Sequence, residues 1–486
     1  MNSKSRRIAV IGGGIAGLAA AHRLVELEPT HAITLFEASG RLGGVISTVN
    51  RDGFQVERSS DNFITTIPWG VNLCKRLGLA DQLIQTNAAY RRTFVVHGGR
   101  LYRLPEGFLM MAPTRMWPLA VTPLLSPLGK LRAALEYFIP PRKDQSDESM
   151  ARFVRRRLGR EVFDRLVEPL VSAVYAADME KLSVLATLPR FREMELEHGS
   201  LIRAMRRQKK LNPHAGAESG ARYSMFVTLR DGLTSMVDAL AARLPAGSVR
   251  LNSPVERMER AENSWRVYCM GIEPEEFDAV ILATPSWMTA KLLKPVEADL
   301  ARDLASISHE GTAIVSLGYD DRQVGHPLDG MGTVVPAIEQ SPILAISFSS
   351  RKYAHRAPEG KTLLRVFVGG ARHPELAEMP DDQLLPLVRK HTEKLLHIQG
   401  DPVFCDIAHW PGTMPQYHVG HKNLVASIEA RVASISNIQL AGNAYHGVGI
   451  PDCIHGGESA AERILAQKLN LGTVPIFVST KMGLSP

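Results

Sequence analysis

Gly12, Gly14 and Gly17 follow a short β-branched run at residues 7–11 (RIAVI) and precede an apolar stretch at 18–27 with helical spacing. Strand, glycine-rich turn and helix in that order form a cradle for a dinucleotide pyrophosphate. Gly12 permits the tight turn, Gly14 lets phosphates approach the backbone, and Gly17 lets helix and strand pack closely. Ile15 and Ala16 lie between the last two glycines, where free N–H groups and the helix dipole attract negative charge. A second strand at 32–36 ends at Glu37, twenty residues after Gly17, where a ribose diol needs a carboxylate acceptor. The bland alternative is a glycine-rich turn beside an ordinary strand-end glutamate; the coincidence of all these features favours nucleotide binding.

The next residues are Ala38-Ser39-Gly40-Arg41-Leu42-Gly43-Gly44. A second glycine pair so soon after the ribose acid indicates backbone running close to a longer ligand, which favours FAD over NAD. Arg41 can hydrogen-bond phosphate or ribose, or stand as a surface arginine. At the far end, a strand at 437–440 leads into Ala441-Gly442-Asn443-Ala444-Tyr445-His446-Gly447-Val448-Gly449-Ile450-Pro451-Asp452 and then an amphipathic helix. Gly442, Gly447 and Gly449 let this backbone pass close to something flat. A helix starting near Gly449 and Ile450, with Val448 before it, would stabilise negative charge on a reduced isoalloxazine. Pro451 helps to start that helix, and Asp452 is its N-cap or a first-turn acid.

These ends must be held together by the elements between them. The chain has 486 residues, enough for about three domain-sized units. Its 45% hydrophobic and 22% charged residues exclude disordered, collagen-like and coiled-coil classes. Four scattered cysteines without a C-x-x-C pair argue against a disulfide scaffold or zinc site and suit an intracellular compartment. No metal is expected. The net charge of +7 suits anionic ligands or a membrane surface. The runs Arg155-Arg156-Arg157 and Arg206-Arg207-Gln208-Lys209-Lys210 lack interleaved aromatics and read as solvated surface, so no nucleic-acid partner is expected. The apolar stretch at 108–125 is broken by Pro113, Pro118 and Pro123, which argues against a spanning helix. Both ends are expected to form one nucleotide-binding domain with the middle inserted.

Over residues 7–467 the chain resembles the FAD-dependent protoporphyrinogen and coproporphyrinogen oxidases, within the broader flavin amine oxidases. Besides the opening block, the resemblance rests on Asp52-Gly53-Phe54 through Glu57-Arg58 and Asp61-Asn62-Phe63. It rests further on Glu168-Pro169-Leu170-Val171-Ser172-Ala173-Val174-Tyr175-Ala176-Ala177-Asp178, on Trp410-Pro411, Pro415-Gln416-Tyr417 and Gly420-His421, and on the loop at 447–454. It implies an α/β fold: a doubly wound, Rossmann-like FAD domain (1–88, 225–292 and 410–470), an inserted helical domain (100–210) able to rest on a membrane, and an inserted α+β substrate domain (295–410). Within these, the pattern predicts strand, turn and helix over 223–244, strands at 249–258, 277–283, 313–318 and 363–369, and helices at 131–138 and 150–171. The segment 214–220 (HAGAESG) reads as flexible.

By the same resemblance the backbone at Val255 meets the adenine, the substrate is a tetrapyrrole, dioxygen reoxidises the flavin, and the protein is cytoplasmic with peripheral membrane contact. Oligomeric state is not implied. Oxidation runs in three two-electron rounds, and no side chain need act as an obligatory base; His421 and His446 are the nearest imidazoles. Arg91, Arg92, Arg103 and Arg115 are candidates to pair with substrate carboxylates. Relatives usually carry Gly-Pro where this chain has Ser59-Ser60, and often glycine at Ala173 and Ala177. The propionate-binding arginine of the animal and plant enzymes has no clear counterpart at 63–68, which favours coproporphyrinogen III. The alternatives are a flavin amine oxidase, against which Val45 replaces the usual arginine after the glycine pair, and a non-catalytic flavoprotein scaffold.

Overall fold

The structure is a computed structural model that describes residues 5–211 and 225–467. The segment at 214–220 lies outside the described residues. A five-stranded parallel sheet carries both ends of the chain, in the order Val249–Arg250, Ala32–Phe36, Arg7–Ile11, Ala279–Leu282, Ile438–Leu440. Alternation explains the continuous apolar run at 7–11. Ile8 and Val10 pack under the helices Ile15–Leu27 and Ile450–Ala466, while Ala9 and Ile11 pack on the other face against Leu292, Leu300 and Ile428. The two helices, more than four hundred residues apart, touch: a Cβ on Gly457 would lie 2.1 Å from the Ala16 carbonyl oxygen.

A second, seven-stranded sheet runs Phe404–Pro415, His309–Asp320, Lys361–Gly369, Ile343–Phe348, Gly332–Val334, Thr93–His97, Arg100–Arg103. Its pairs are antiparallel except Gly332–Val334 with Thr93–His97. One face is apolar and covered by the helix Asp381–Leu396, through Leu384, Val388 and Leu396. A third cluster, from Met150, Phe153, Leu158, Leu166 and Phe191, centres the helical region. Arg157 and Glu136 form a fully buried pair within it, and Ser200 Oγ donates to the same Glu136 carboxylate at 2.6 Å.

Several elements differ from the sequence expectation. The opening helix begins at Ile15, directly on the glycine turn. The strand expected at 249–258 divides into Val249–Arg250 in the parallel sheet and Val255–Arg260 in a three-stranded hairpin layer, with Asn252 at φ +52° between them. The run at 277–283 divides at Asp278, whose carboxylate accepts the Arg7 amide at 2.6 Å. The helix expected at 150–171 is broken once, after Leu158, where Gly159 has φ +94° with the Arg132 side chain filling the space a Cβ would take; helical turns resume over Arg160–Val162 and Phe163–Val167 and run on through Glu168–Tyr175. Helix expected at 131–138 starts earlier, at Pro127, capped by Ser126 Oγ, and tightens over Leu135–Phe138.

Candidate functional site

The two glycine-rich turns of the first fifty residues lie against each other. Gly12 has φ +110°, and a Cβ there would meet the Ala283 carbonyl oxygen at 2.6 Å; one on Gly17 would meet the Gly12 oxygen at 1.9 Å. Gly14 is different. Its backbone is ordinary extended chain (φ −70°, ψ 175°), and the nearest atom to an added Cβ is Gly44 Cα at 3.9 Å. Neither conformation nor protein packing therefore requires glycine at 14, and the space beside it is open. The helix after it has no side-chain cap, which leaves Ile15, Ala16 and Gly17 N–H groups facing that space. Gly43 N–H donates to the Gly13 oxygen at 2.8 Å and binds the second turn to the first.

Glu37 closes this turn. One carboxylate oxygen accepts from Gly13 N–H at 2.7 Å, the other from Ser39 N–H and Oγ at 2.8 and 2.7 Å, with Ala38 exposed between. Arg41 donates to the carbonyls of Leu42 and Ile46 at 3.1 and 3.0 Å and of Gly44 at 2.5 Å. Its guanidinium thus fixes the shape of the Gly43-Gly44 turn. Val255 is buried in the same apolar cluster as Phe36, at the end of the strand that leads to Glu37.

The C-terminal loop lies beside this cradle. Gly442 has φ +126° with no atom within 4 Å of an added Cβ. Gly449, not Asp452, is the N-cap of the last helix, again without a side-chain cap; Asp452 sits in the first turn beneath Gly447 and Gly449. Burial pushes the Asp452 carboxyl up, against the pull of its hydrogen bond from the Gly449 backbone. Tyr417 Oη donates to the Asn443 oxygen at 2.5 Å, and Asn443 Nδ2 donates to the Thr413 oxygen at 3.1 Å, which ties the loop to the second sheet.

His421 stacks on Tyr417 (4.0 Å between centroids, 12° between planes), and its Nε2–H donates to the Tyr445 oxygen at 3.3 Å. Burial pushes its pKa down to about 4, so it is neutral at physiological pH. Unfolded, the same imidazole takes up its proton near pH 6.5. Stability from neutral His421 is complete above that value and is lost as pH falls towards 4, by up to about 3 kcal/mol for a shift of this size. Melting temperature is expected to fall over this window, and His421→Phe, which keeps the stack, should flatten the fall. An unchanged profile in the variant would show that His421 does not titrate there. His446 is exposed and bonded to Glu429 at 2.7 Å, outside the site.

A cavity of about 430 Å³ adjoins the loop. Val448, Asn443 and Trp410 form one side, Ala173, Val174 and Ala176 of the helical region another, and the second sheet a wall through Ile314, Ile346 and Phe367. Ser59, Ser60 and Asp61 also line it, as do Lys352 and Arg365. None of the four arginines singled out in the sequence lines it. Arg91 bonds Thr86, Arg92 and Arg103 face Asp329, and Arg115 faces Glu106. The cations that do reach the cavity, Lys352 and Arg365, belong to no motif; for Arg365 the sequence signal is a lone arginine in an apolar strand, LLRVFV at 363–368.

A family model described as flavin containing amine oxidoreductase matches residues 15–465. The coproporphyrinogen III oxidase of Bacillus subtilis is 34% identical over 472 residues, covering 96% of this chain and 99% of its own. The chloroplastic protoporphyrinogen oxidase of Nicotiana tabacum is 29% identical, covering 94% and 84%. A solved structure from Exiguobacterium superposes with a TM-score of 0.86 at 30% identity, over 96% of this chain and all of that one. The chain belongs to the flavin containing amine oxidoreductases and, among them, to the family of the FAD-dependent protoporphyrinogen and coproporphyrinogen oxidases.

Proposed function

We propose that this protein oxidises a porphyrinogen to the porphyrin in haem biosynthesis, with coproporphyrinogen III preferred over protoporphyrinogen IX and dioxygen as acceptor. The observation that carries this is the cavity, which touches the C-terminal glycine loop on one side and buried cations on another. Its size is that of a small-molecule site, and its mostly apolar walls with a few convergent charges suit a flat macrocycle bearing carboxylates. FAD fits the cradle: space is open at Gly14 and Gly442, and two helices point uncapped N-termini into it. Gly12, Gly14, Ile15, Ala16 and Gly17 would hold the pyrophosphate. Glu37 and the Ala38 backbone would hold the ribose, and Val255 the adenine. Gly442, Val448, Gly449 and Ile450 would hold the isoalloxazine. Arg41 would shape the turn of Gly43 and Gly44 that covers the phosphates. When bound, FAD takes electron pairs from the substrate and passes them to dioxygen.

The side chains exclude water and orient the macrocycle. The ionisable residues of the cavity wall are Asp61, Lys352 and Arg365; its one carboxylate, Asp61, is paired with both cations, so protons of the pyrrole N–H groups leave through tautomers and water rather than a dedicated base. Aerobic incubation with each porphyrinogen, followed by porphyrin fluorescence, tests the reading. Faster formation of coproporphyrin supports it, and no porphyrin from either overturns it.

The three-part division expected from the sequence rests on the separate apolar clusters of the parallel sheet, the helical region and the second sheet. We also assign a peripheral membrane contact to the helical region. No helix among the described residues is long and apolar enough to cross a membrane. Yet Leu128, Leu131, Leu135 and Phe138, three or four residues apart along the helical stretch at 127–138, are 78%, 59%, 46% and 73% exposed, Trp117 is 76% exposed, and Arg203 and Arg206 stand over the neighbouring Tyr137 ring. An apolar ridge beside cations matches an anionic lipid surface. Replacing Trp117 and Phe138 by serine is expected to weaken binding to anionic vesicles at least about tenfold, given ~1.5–3 kcal/mol for each fully buried apolar side chain. Unaltered co-sedimentation of the double variant would refute the contact.

A further inference from the structure

Strand Lys361–Gly369 alternates between two environments. Leu364, Val366 and Val368 enter the core beneath the covering helix, whereas Arg365 and Phe367 line the cavity. Arg365 is 1% exposed, with its guanidinium 5.1 Å from the Phe367 ring centroid. Its Nη2 donates to the Ser59 carbonyl, and its Nη1 is 3.3 Å from an Asp61 oxygen, but neither Nε nor Nη1 has a hydrogen-bond acceptor. The Nη1 contact with Asp61 is an ion pair without hydrogen-bond geometry, and Asp61 also accepts from Lys352 Nζ at 2.9 and 3.0 Å and from Asn62 Nδ2 at 2.6 Å. Behind them, Glu57 lies 3.9 Å from Arg356 and is held by Thr48 and the Leu233 amide, while Arg356 donates to Gln55, Thr228 and the carbonyls of Leu229 and Arg230.

The cluster therefore holds three cations (Lys352, Arg356, Arg365) against two anions (Glu57, Asp61), a buried excess of one positive charge. A buried charge without a partner is costly, and here the unmet donors belong to the one guanidinium that faces the cavity. A guanidinium presents N–H groups in a planar fork that matches a carboxylate.

We propose that Arg365, set beside the Asp61–Lys352 pair, is a carboxylate subsite that selects a tetrapyrrole with carboxylates on all four rings over one with only two. This rests on the porphyrinogen reading above. A macrocycle with a propionate on every ring presents one to this wall however it is turned. A macrocycle with two adjacent propionates and two vinyls turns a vinyl towards it in other orientations and leaves the cation unmatched. Sites built to bond a polar group reject analogues that lack it far more strongly than apolar pockets reject a missing methylene.

Arg365→Met is the test, with FAD content and melting temperature as controls for folding. Turnover efficiency on coproporphyrinogen III is expected to fall about a hundredfold or more, for two lost charge-assisted hydrogen bonds. Efficiency on protoporphyrinogen IX should fall much less, so the selectivity ratio collapses. Binding of the stable product coproporphyrin III, followed by its fluorescence, should weaken in parallel and by more than binding of protoporphyrin IX. Arg365→Lys, which keeps charge without the fork, should recover part of the ratio and serves alone if the methionine variant does not fold. Equal losses on both substrates, or an unchanged ratio in either variant, would overturn the subsite. A wild-type protein that oxidises neither substrate would instead sink the functional reading on which it rests.

Discussion

Gly14→Val should yield a folded, colourless protein. The reasoning is spatial. Valine adopts the extended conformation of residue 14 without strain, and no protein atom lies closer than 3.9 Å to the first atom it adds. The cost inside the protein is the loss of a good N-cap residue, about 1 kcal/mol. The cost to the cofactor is far larger. The branched side chain occupies the gap through which a diphosphate would reach the N–H groups of Ile15, Ala16 and Gly17. Losing two charge-assisted hydrogen bonds, at ~1.5–3 kcal/mol each, lowers affinity by about two orders of magnitude or more. Flavin absorbance should disappear from the purified variant while its far-ultraviolet circular dichroism remains. Melting temperature should fall to that of the apoprotein, since a ligand that binds only the native state stabilises in proportion to ln(1 + [L]/Kd). Gly17→Val is the contrast. Its Cβ would lie 1.9 Å from the Gly12 oxygen, so it should fail as a fold rather than as a binding site. Undiminished yellow colour in Gly14→Val would place the pyrophosphate elsewhere.

That contrast also shows what a sequence carries. Gly12, Gly14 and Gly17 are alike as letters and read as one turn together, because strand, turn and helix are local and their spacing is fixed by the chain. The closing loop was legible for the same reason: glycines directly before an amphipathic helix. Where elements broke, the cause was a partner distant in sequence. Asp278 interrupts a run that reads as one strand because it takes the amide of Arg7, and Gly159 ends a helix over the side chain of Arg132. The charged cluster of the cavity was the least legible. Asp61, Lys352 and Arg365 come from three separate stretches, and no spacing links them. Arg91 and Arg103 lie in the stretch expected to border the substrate, yet their guanidinium groups are spent on Thr86 and Asp329. Proximity along the chain predicts turns and caps; it does not predict which side chains a sheet face gathers.

The second large effect is expected at Asp61. This carboxylate compensates two buried cations, Lys352 at 2.9 Å and Arg365 at 3.3 Å. Burial alone would raise its pKa, but Lys352 and then Arg365 outweigh burial and hold it below the usual range. Burial likewise lowers the Lys352 ammonium, which Asp61 opposes. Asp61→Asn keeps the shape and removes the charge, so both cations remain in place without compensation. Breaking a buried pair on one side typically costs about 3–5 kcal/mol, or roughly 6–20 °C in the melting temperature of a domain of 150–250 residues. The direction with pH follows from the depressed value. Stability from Asp61 is complete above its unfolded pKa, about 4, and is lost as pH falls through the lower folded value; the asparagine variant should lack this acid limb. Adding Lys352→Met to Asp61→Asn should recover most of the loss, because removing both members of a buried pair costs far less than orphaning one. Thermal melts of the wild type, both single variants and the double variant give the coupling directly. If the two single losses simply add, the charges are not compensating each other, and the cavity's electrostatic account fails at its centre.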